Sequence, residues 1–163
     1  MFRKKENSVE RPYCAAVIVA AGSGTRMGGD KLLLELGGCT VIERTMLALD
    51  RCECIDELVV VTQSEKIPAI AALARERGIR KLKCVVEGGA DRTQSAWKGV
   101  CECSDRAELI AIHGGARPLV THEIVERAVR AAAERGAAAP AIHVKDTVRQ
   151  SRGGRVLRTL ERD

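Results

Sequence analysis

Seven consecutive apolar residues, 14–20, run without a charged break into Ala21-Gly22-Ser23-Gly24. A run with no polar alternation cannot turn one face to water, so it predicts a strand buried on both sides, in a parallel sheet covered by helices. The pattern recurs. Apolar, β-branched or Ala-rich runs at 57–62, 82–87, 108–113 and 137–143 predict four more strands. Helical patterns lie between them at 40–51, 67–77, 92–103 and 121–135, with Thr40 and Thr121 as N-caps and Gly136 as a stop. Strands alternating with helices of this length specify βαβ units and a mostly parallel α/β sheet, which binds ligands at the carboxyl ends of its strands. The segment 146–163 breaks the rhythm and reads as two extended runs around Gly153-Gly154, a hairpin with little apolar surface of its own.

A chain of 163 residues suffices for one such domain. We divide it into a basic tail (1–13), a nucleotide-binding α/β domain (14–145) and a hairpin arm (146–163). With aromatics at 2 %, the core must come from Val, Ile, Leu and Ala, and the interleaved aromatics of a single-strand nucleic-acid binder are missing. A net charge of +5, much of it at the two ends, suits a small anionic ligand better than nucleic acid. The seven cysteines are odd in number and irregularly spaced, and the C-x-C pairs Cys52/Cys54 and Cys101/Cys103 lack a zinc-site His. They read as small buried hydrophobes of a reducing cytoplasm. No segment approaches the roughly 20 apolar residues of a membrane span, and no signal-peptide pattern opens the chain.

Three stretches carry chemistry. In Ala20-Ala21-Gly22-Ser23-Gly24-Thr25-Arg26-Met27, followed by Lys31, glycines let backbone N–H groups approach a phosphate chain while Arg26 and Lys31 supply positive charge. It is neither a dinucleotide fingerprint, which needs Gly where Met27 stands, nor a P-loop, since Asp30 precedes Lys31 and Leu32 replaces the magnesium-binding Ser or Thr. Gly88-Gly89-Ala90-Asp91-Arg92-Thr93-Gln94-Ser95 follows a strand and enters a helix. Arg92 and Ser95 there share a helix face, either as a pyrimidine-reading edge or as a capped helix start with a solvated Arg. His113-Gly114-Gly115-Ala116-Arg117-Pro118 reaches the same edge, with His113 read as a hydrogen-bonded structural residue.

In this order, with Asp146-Thr147 and Thr159-Leu160-Glu161-Arg162 behind them, these stretches resemble the 2-C-methyl-D-erythritol 4-phosphate cytidylyltransferases. That family's motifs run A-A-G-x-G-x-R-M, Lys, G-G-x-x-R-x-x-S, H-D-A-A-R-P, D-T and T-x-x-R. The resemblance implies a Rossmann-like fold of nucleotidyltransferase type with a C-terminal β-hairpin arm. It also implies transfer of CMP from CTP to 2-C-methyl-D-erythritol 4-phosphate, with release of pyrophosphate, in isoprenoid precursor synthesis. Arg26, Lys31 and Arg162 would then be catalytic. CTP would be held by Ala20, Ala21, Gly22, Ser23, Gly24, Thr25, Gly88, Gly89, Arg92 and Ser95. Ala116, Arg117, Thr147 and Arg162 would meet the acceptor, the last two reaching it across a homodimer formed through the arm. Magnesium would be carried mainly by the CTP phosphates.

Three departures qualify this expectation. Gly114 stands where the family has a metal-side Asp, so no protein metal ligand is assigned; Ala90 replaces another family Asp; and family members continue beyond the position of Asp163. These point to a folded but weak or inactive enzyme. The alternatives are a non-catalytic nucleotide-binding or dimerisation module and a ribitol-phosphate-type cytidylyltransferase.

Overall fold

The computed structural model describes residues 11–22 and 30–161. Four strands form one parallel sheet: β1 (Cys14–Val19), β2 (Glu57–Thr62), β3 (Leu82–Glu87) and β4 (Leu109–Gly114), in the order β3-β2-β1-β4. The helices are α1 (Val41–Asp50), α2 (Ile67–Glu76), α3 (Arg92–Cys101) and α4 (His122–Arg135). A 3₁₀ turn, Ser64–Lys66, leads from β2 into α2. The central strands β1 and β2 are buried at every position. Their alternate residues feed two cores, as expected for a covered parallel sheet. Ala16, Ile18, Leu58 and Val60 pack with Ile42, Met46, Leu49 and Ile70 of α1 and α2. Val17, Val19, Val59 and Val61 pack on the other side with Ala96 and Val100 of α3. Gly99 brings α3 close, because a methyl there would drive into Val17 and Val61.

The helix boundaries follow their chemistry. Thr40 accepts a hydrogen bond from Glu43 N, and Glu43 accepts one in return from Thr40 N, a reciprocal capping box. Thr121 caps α4 by accepting from Ile124 N, and Gly136 ends it in the left-handed conformation (φ 85°). The expected hairpin is present as β5 (Arg149–Arg152) and β6 (Arg155–Thr159), joined through Gly153 and Gly154. Both glycines have positive φ, the condition for a tight hairpin turn. Of the expected basic tail, Arg11 is anchored: both its terminal nitrogens donate to Asp56 at 2.7 Å.

One expected strand is absent. Residues 137–143 form no ladder and are exposed, with Ile142 90 % accessible. Four alanines and Pro140 favour extended pairing weakly, and beyond Gly136 the chain does not return to the free edge of β4. The cysteine reading holds for the core: all seven are free, and Cys14, Cys52 and Cys54 are buried. Burial pushes the Cys14 and Cys52 thiols up to about 11.

Candidate functional site

The carboxyl ends of the parallel strands bring the motif backbones together. Ala20 N donates to Val61 O (2.7 Å), Gly88 N to Thr62 O (2.8 Å) and Gly115 N to Val19 O (2.9 Å), so each motif continues the strand ladder for one bond before turning away. Ala20-Ala21 lies between the other two motifs. A Cβ on Gly88 would collide with that of Ala21, and one on Gly115 would come within 2.8 Å of that of Ala20. The glycines are therefore there for close approach of backbone to backbone, the condition under which three loops can share one ligand.

The Gly88-Gly89 loop is held from below by α3. Ser95 is buried; its Oγ accepts from Gly89 N (3.0 Å) and donates to Asp91 O (2.7 Å). Asp91 caps the helix by accepting from Gln94 N (2.7 Å), and Gln94 Oε1 accepts from Ala90 N (3.1 Å). Lys98 Nζ donates to Gly88 O (2.8 Å). Thr45 of α1 fixes the third loop by donating to Gly115 O (2.9 Å). Gln94, Lys98 and Thr45 escaped the sequence reading. The D-x-x-Q spacing of Asp91 and Gln94 was a legible capping signal, whereas Lys98 and Thr45 act through the fold.

Ala20, Ala21, Gly22, Gly88, Gly89 and Ser95 thus belong to one rim. Arg92 is exposed at the start of α3. Ala116 is half-buried and Arg117 exposed just past β4, and the Arg117 side chain folds over Gly114, whose added Cβ would lie 3.3 Å from its Cδ. Lys31 is half-buried beside Leu32, a core residue whose carbonyl accepts from Ile42 N (3.0 Å). Thr147 sits on the exposed stretch before β5. Ser23, Gly24, Thr25, Arg26 and Arg162 lie outside the described residues. His113, expected to be a hydrogen-bonded structural residue, is half-buried, and its Nδ1 meets no partner at full hydrogen-bond geometry among the described residues. Burial, then the nearby Arg117, lowers its pKa, while the backbone at Gly114 pulls the other way.

Among the described residues no cluster of three or more His, Cys, Asp or Glu side chains could hold a metal ion. Arg117 lies over Gly114 and brings a cation to the rim. A concavity of about 770 Å³ lies elsewhere, between β4 and α4. Its walls include Leu109, Ala111, Val125, Val129 and Pro140, which is the chemistry of an uncovered core and not of a triphosphate site.

Residues 14–163 match the family model described as 2-C-methyl-D-erythritol 4-phosphate cytidylyltransferase. Proteins of that description are 33 % identical over 153 residues in Alkaliphilus oremlandii and 39 % identical over 150 residues in Geobacillus kaustophilus, covering 91 % and 90 % of this chain. The chain spans 65 % of the length of each. The crystal structure of a 4-diphosphocytidyl-2C-methyl-D-erythritol synthase from Anaerococcus prevotii is similar with a TM-score of 0.76 at 25 % identity, over 92 % of this chain and 64 % of that one.

Proposed function

Because this chain belongs to the 2-C-methyl-D-erythritol 4-phosphate cytidylyltransferase family, we propose that its rim binds CTP and transfers CMP to 2-C-methyl-D-erythritol 4-phosphate. The observation that carries the reading is the mutual packing of Ala20-Ala21 with Gly88 and Gly115 at the carboxyl edge of the sheet. In this reading the backbone of Ala20, Ala21, Gly22, Gly88 and Gly89 lines the base and ribose, with Ser95 and Gln94 holding the second loop in shape. Arg26 and Lys31 face the triphosphate. An acceptor phosphate oxygen attacks the α-phosphorus in line, the bond to the bridging oxygen breaks, and pyrophosphate leaves with that electron pair. The chain's own task is to align two anions and spread their charge, so loss of Lys31 is expected to slow turnover by about 10²–10³. Magnesium in this scheme arrives on the triphosphate.

The hairpin fits the proposed homodimer. Val156, Leu157 and Leu160 are exposed on it, and a second copy would cover them. No helix among the described residues is long and apolar enough to cross a membrane. The seven free thiols, three of them buried, support a cytoplasmic setting.

Gly114 favours a second reading, nucleotide binding without turnover, because Arg117 occupies the space over the position where the family carries Asp. Pyrophosphate release and calorimetric CTP titration, both with magnesium and a nucleotide panel, separate the two. Turnover with methylerythritol phosphate supports the transferase. CTP binding with no pyrophosphate supports the second reading, and indifference to CTP removes both.

A further inference from the structure

Immediately before Lys31 stands a carboxylate, an awkward neighbour for a triphosphate. Asp30 Oδ1 accepts from Leu32 N (3.1 Å), and Asp30 O accepts from Leu33 N (3.1 Å), so Asp30 opens the turn on which Lys31 is presented. Its other oxygen, Oδ2, is buried and lies 2.8 Å from Lys66 Nζ, close enough to pair but out of line for a hydrogen bond. Lys66 is in the 3₁₀ turn just beyond β2, held by its own N–H donating to Gln63 O (2.9 Å). That turn starts two residues after Thr62, whose carbonyl accepts from Gly88, so Lys66 stands on the same carboxyl edge as the motif loops.

We propose that Lys66 is a positioning and charge-compensating residue for Lys31. By pairing with Asp30 it cancels the acid beside the triphosphate and fixes the turn from which Lys31 is presented. The inference rests on the reading of Lys31 as a triphosphate ligand. It makes a demand that packing alone does not: removing Lys66 should weaken triphosphate binding because Asp30 is left uncompensated, and removing the Asp30 charge should then repair it.

The test is calorimetric titration of the whole chain with CTP and with CMP in magnesium-containing buffer, at low and high salt, with thermal melts on every variant. Lys66→Ala is expected to weaken CTP about fivefold, the size of one screened surface pair, and to leave CMP unchanged. High salt should shrink the loss. Asp30→Asn keeps the Oδ1 acceptor for Leu32 N, so Asp30→Asn/Lys66→Ala should return to within about twofold of the parent. If Lys66→Ala changes nothing, weakens CMP equally, or is not repaired by Asp30→Asn, the inference is overturned. The last result would mean that Lys66 meets the triphosphate itself. Failure of the underlying reading looks different: the parent chain ignores CTP, or Lys31→Ala binds it as well as the parent, and in either case the inference falls too.

Discussion

The centre and the β4 edge of the sheet are built from similar sequence and meet opposite fates. β1 and β2 read CAAVIV and ELVVVT and are buried throughout. β4 reads LIAIHG, yet of its six residues Gly114 alone is buried, and Ile112 is 54 % exposed. The central strands have a strand on each side and helices on both faces. β4 has β1 on one side and, among the described residues, no strand on the other, and α4 stands off it across the apolar groove. Burial is thus a property of what lies beside a strand and not of its composition. The candidate site is anchored at the well-packed centre by Ala20-Ala21 at the end of β1, against which the loops that follow β3 and β4 close within van der Waals contact.

Substitutions that ignored this divide would have equal effects at centre and edge, and the structure says they will not. Ile18→Ala, in a fully buried position, is expected to cost about 3–4 kcal/mol of unfolding free energy, against less than about 1 kcal/mol for Ile112→Ala, read by denaturant titration. Equal losses would mean that the groove is covered in solution.

Glu43 tests the packed region through charge. It is a buried carboxylate whose Oε1 accepts from Arg77 Nε (2.6 Å) and whose Oε2 accepts from Thr40 N (2.5 Å). Burial alone would raise its pKa, but the hydrogen bonds from Thr40 and Arg77 hold it down at about 2. A carboxyl that loses its proton more easily when folded stabilises the fold fully above its ordinary 4.5, and that contribution drains away as pH falls towards about 2. Glu43→Ala should cost about 2–3 kcal/mol at neutral pH, and Glu43→Gln should flatten the acid limb of stability against pH. An unchanged limb in Glu43→Gln would assign the acid sensitivity elsewhere.

The mildest of the packed-region changes is Gly99→Ala, which overfills the seam between α3 and the sheet. It should destabilise by about 1–3 kcal/mol and loosen the Gly88-Gly89 loop that α3 supports. A neutral result, with unchanged CTP affinity, would show that α3 can move away without disturbing the rim.

Much of this was legible beforehand. The four sheet strands and four helices fall within about two residues of the boundaries expected from hydrophobic runs, caps and Gly136, because those signals are local. The strand expected at 137–143 failed because an apolar run states that a segment wants cover and not that a partner strand will be beside it. Within the site, spacing located the glycines but not the reason for them, which is the approach of Ala20 and Ala21 from a distant part of the chain. The buried hydroxyl of Ser95, read either as part of a pyrimidine-reading edge or as part of a capped helix start, bonds Gly89 and Asp91, and no spacing rule foretells that.

Amide hydrogen exchange with and without CTP addresses rim against groove in a single experiment. The account predicts slowed exchange at 20–22, 88–95 and 113–115, with 124–140 along α4 and its exit unchanged. Protection confined to the 124–140 segment, or no protection anywhere at saturating CTP, would contradict it.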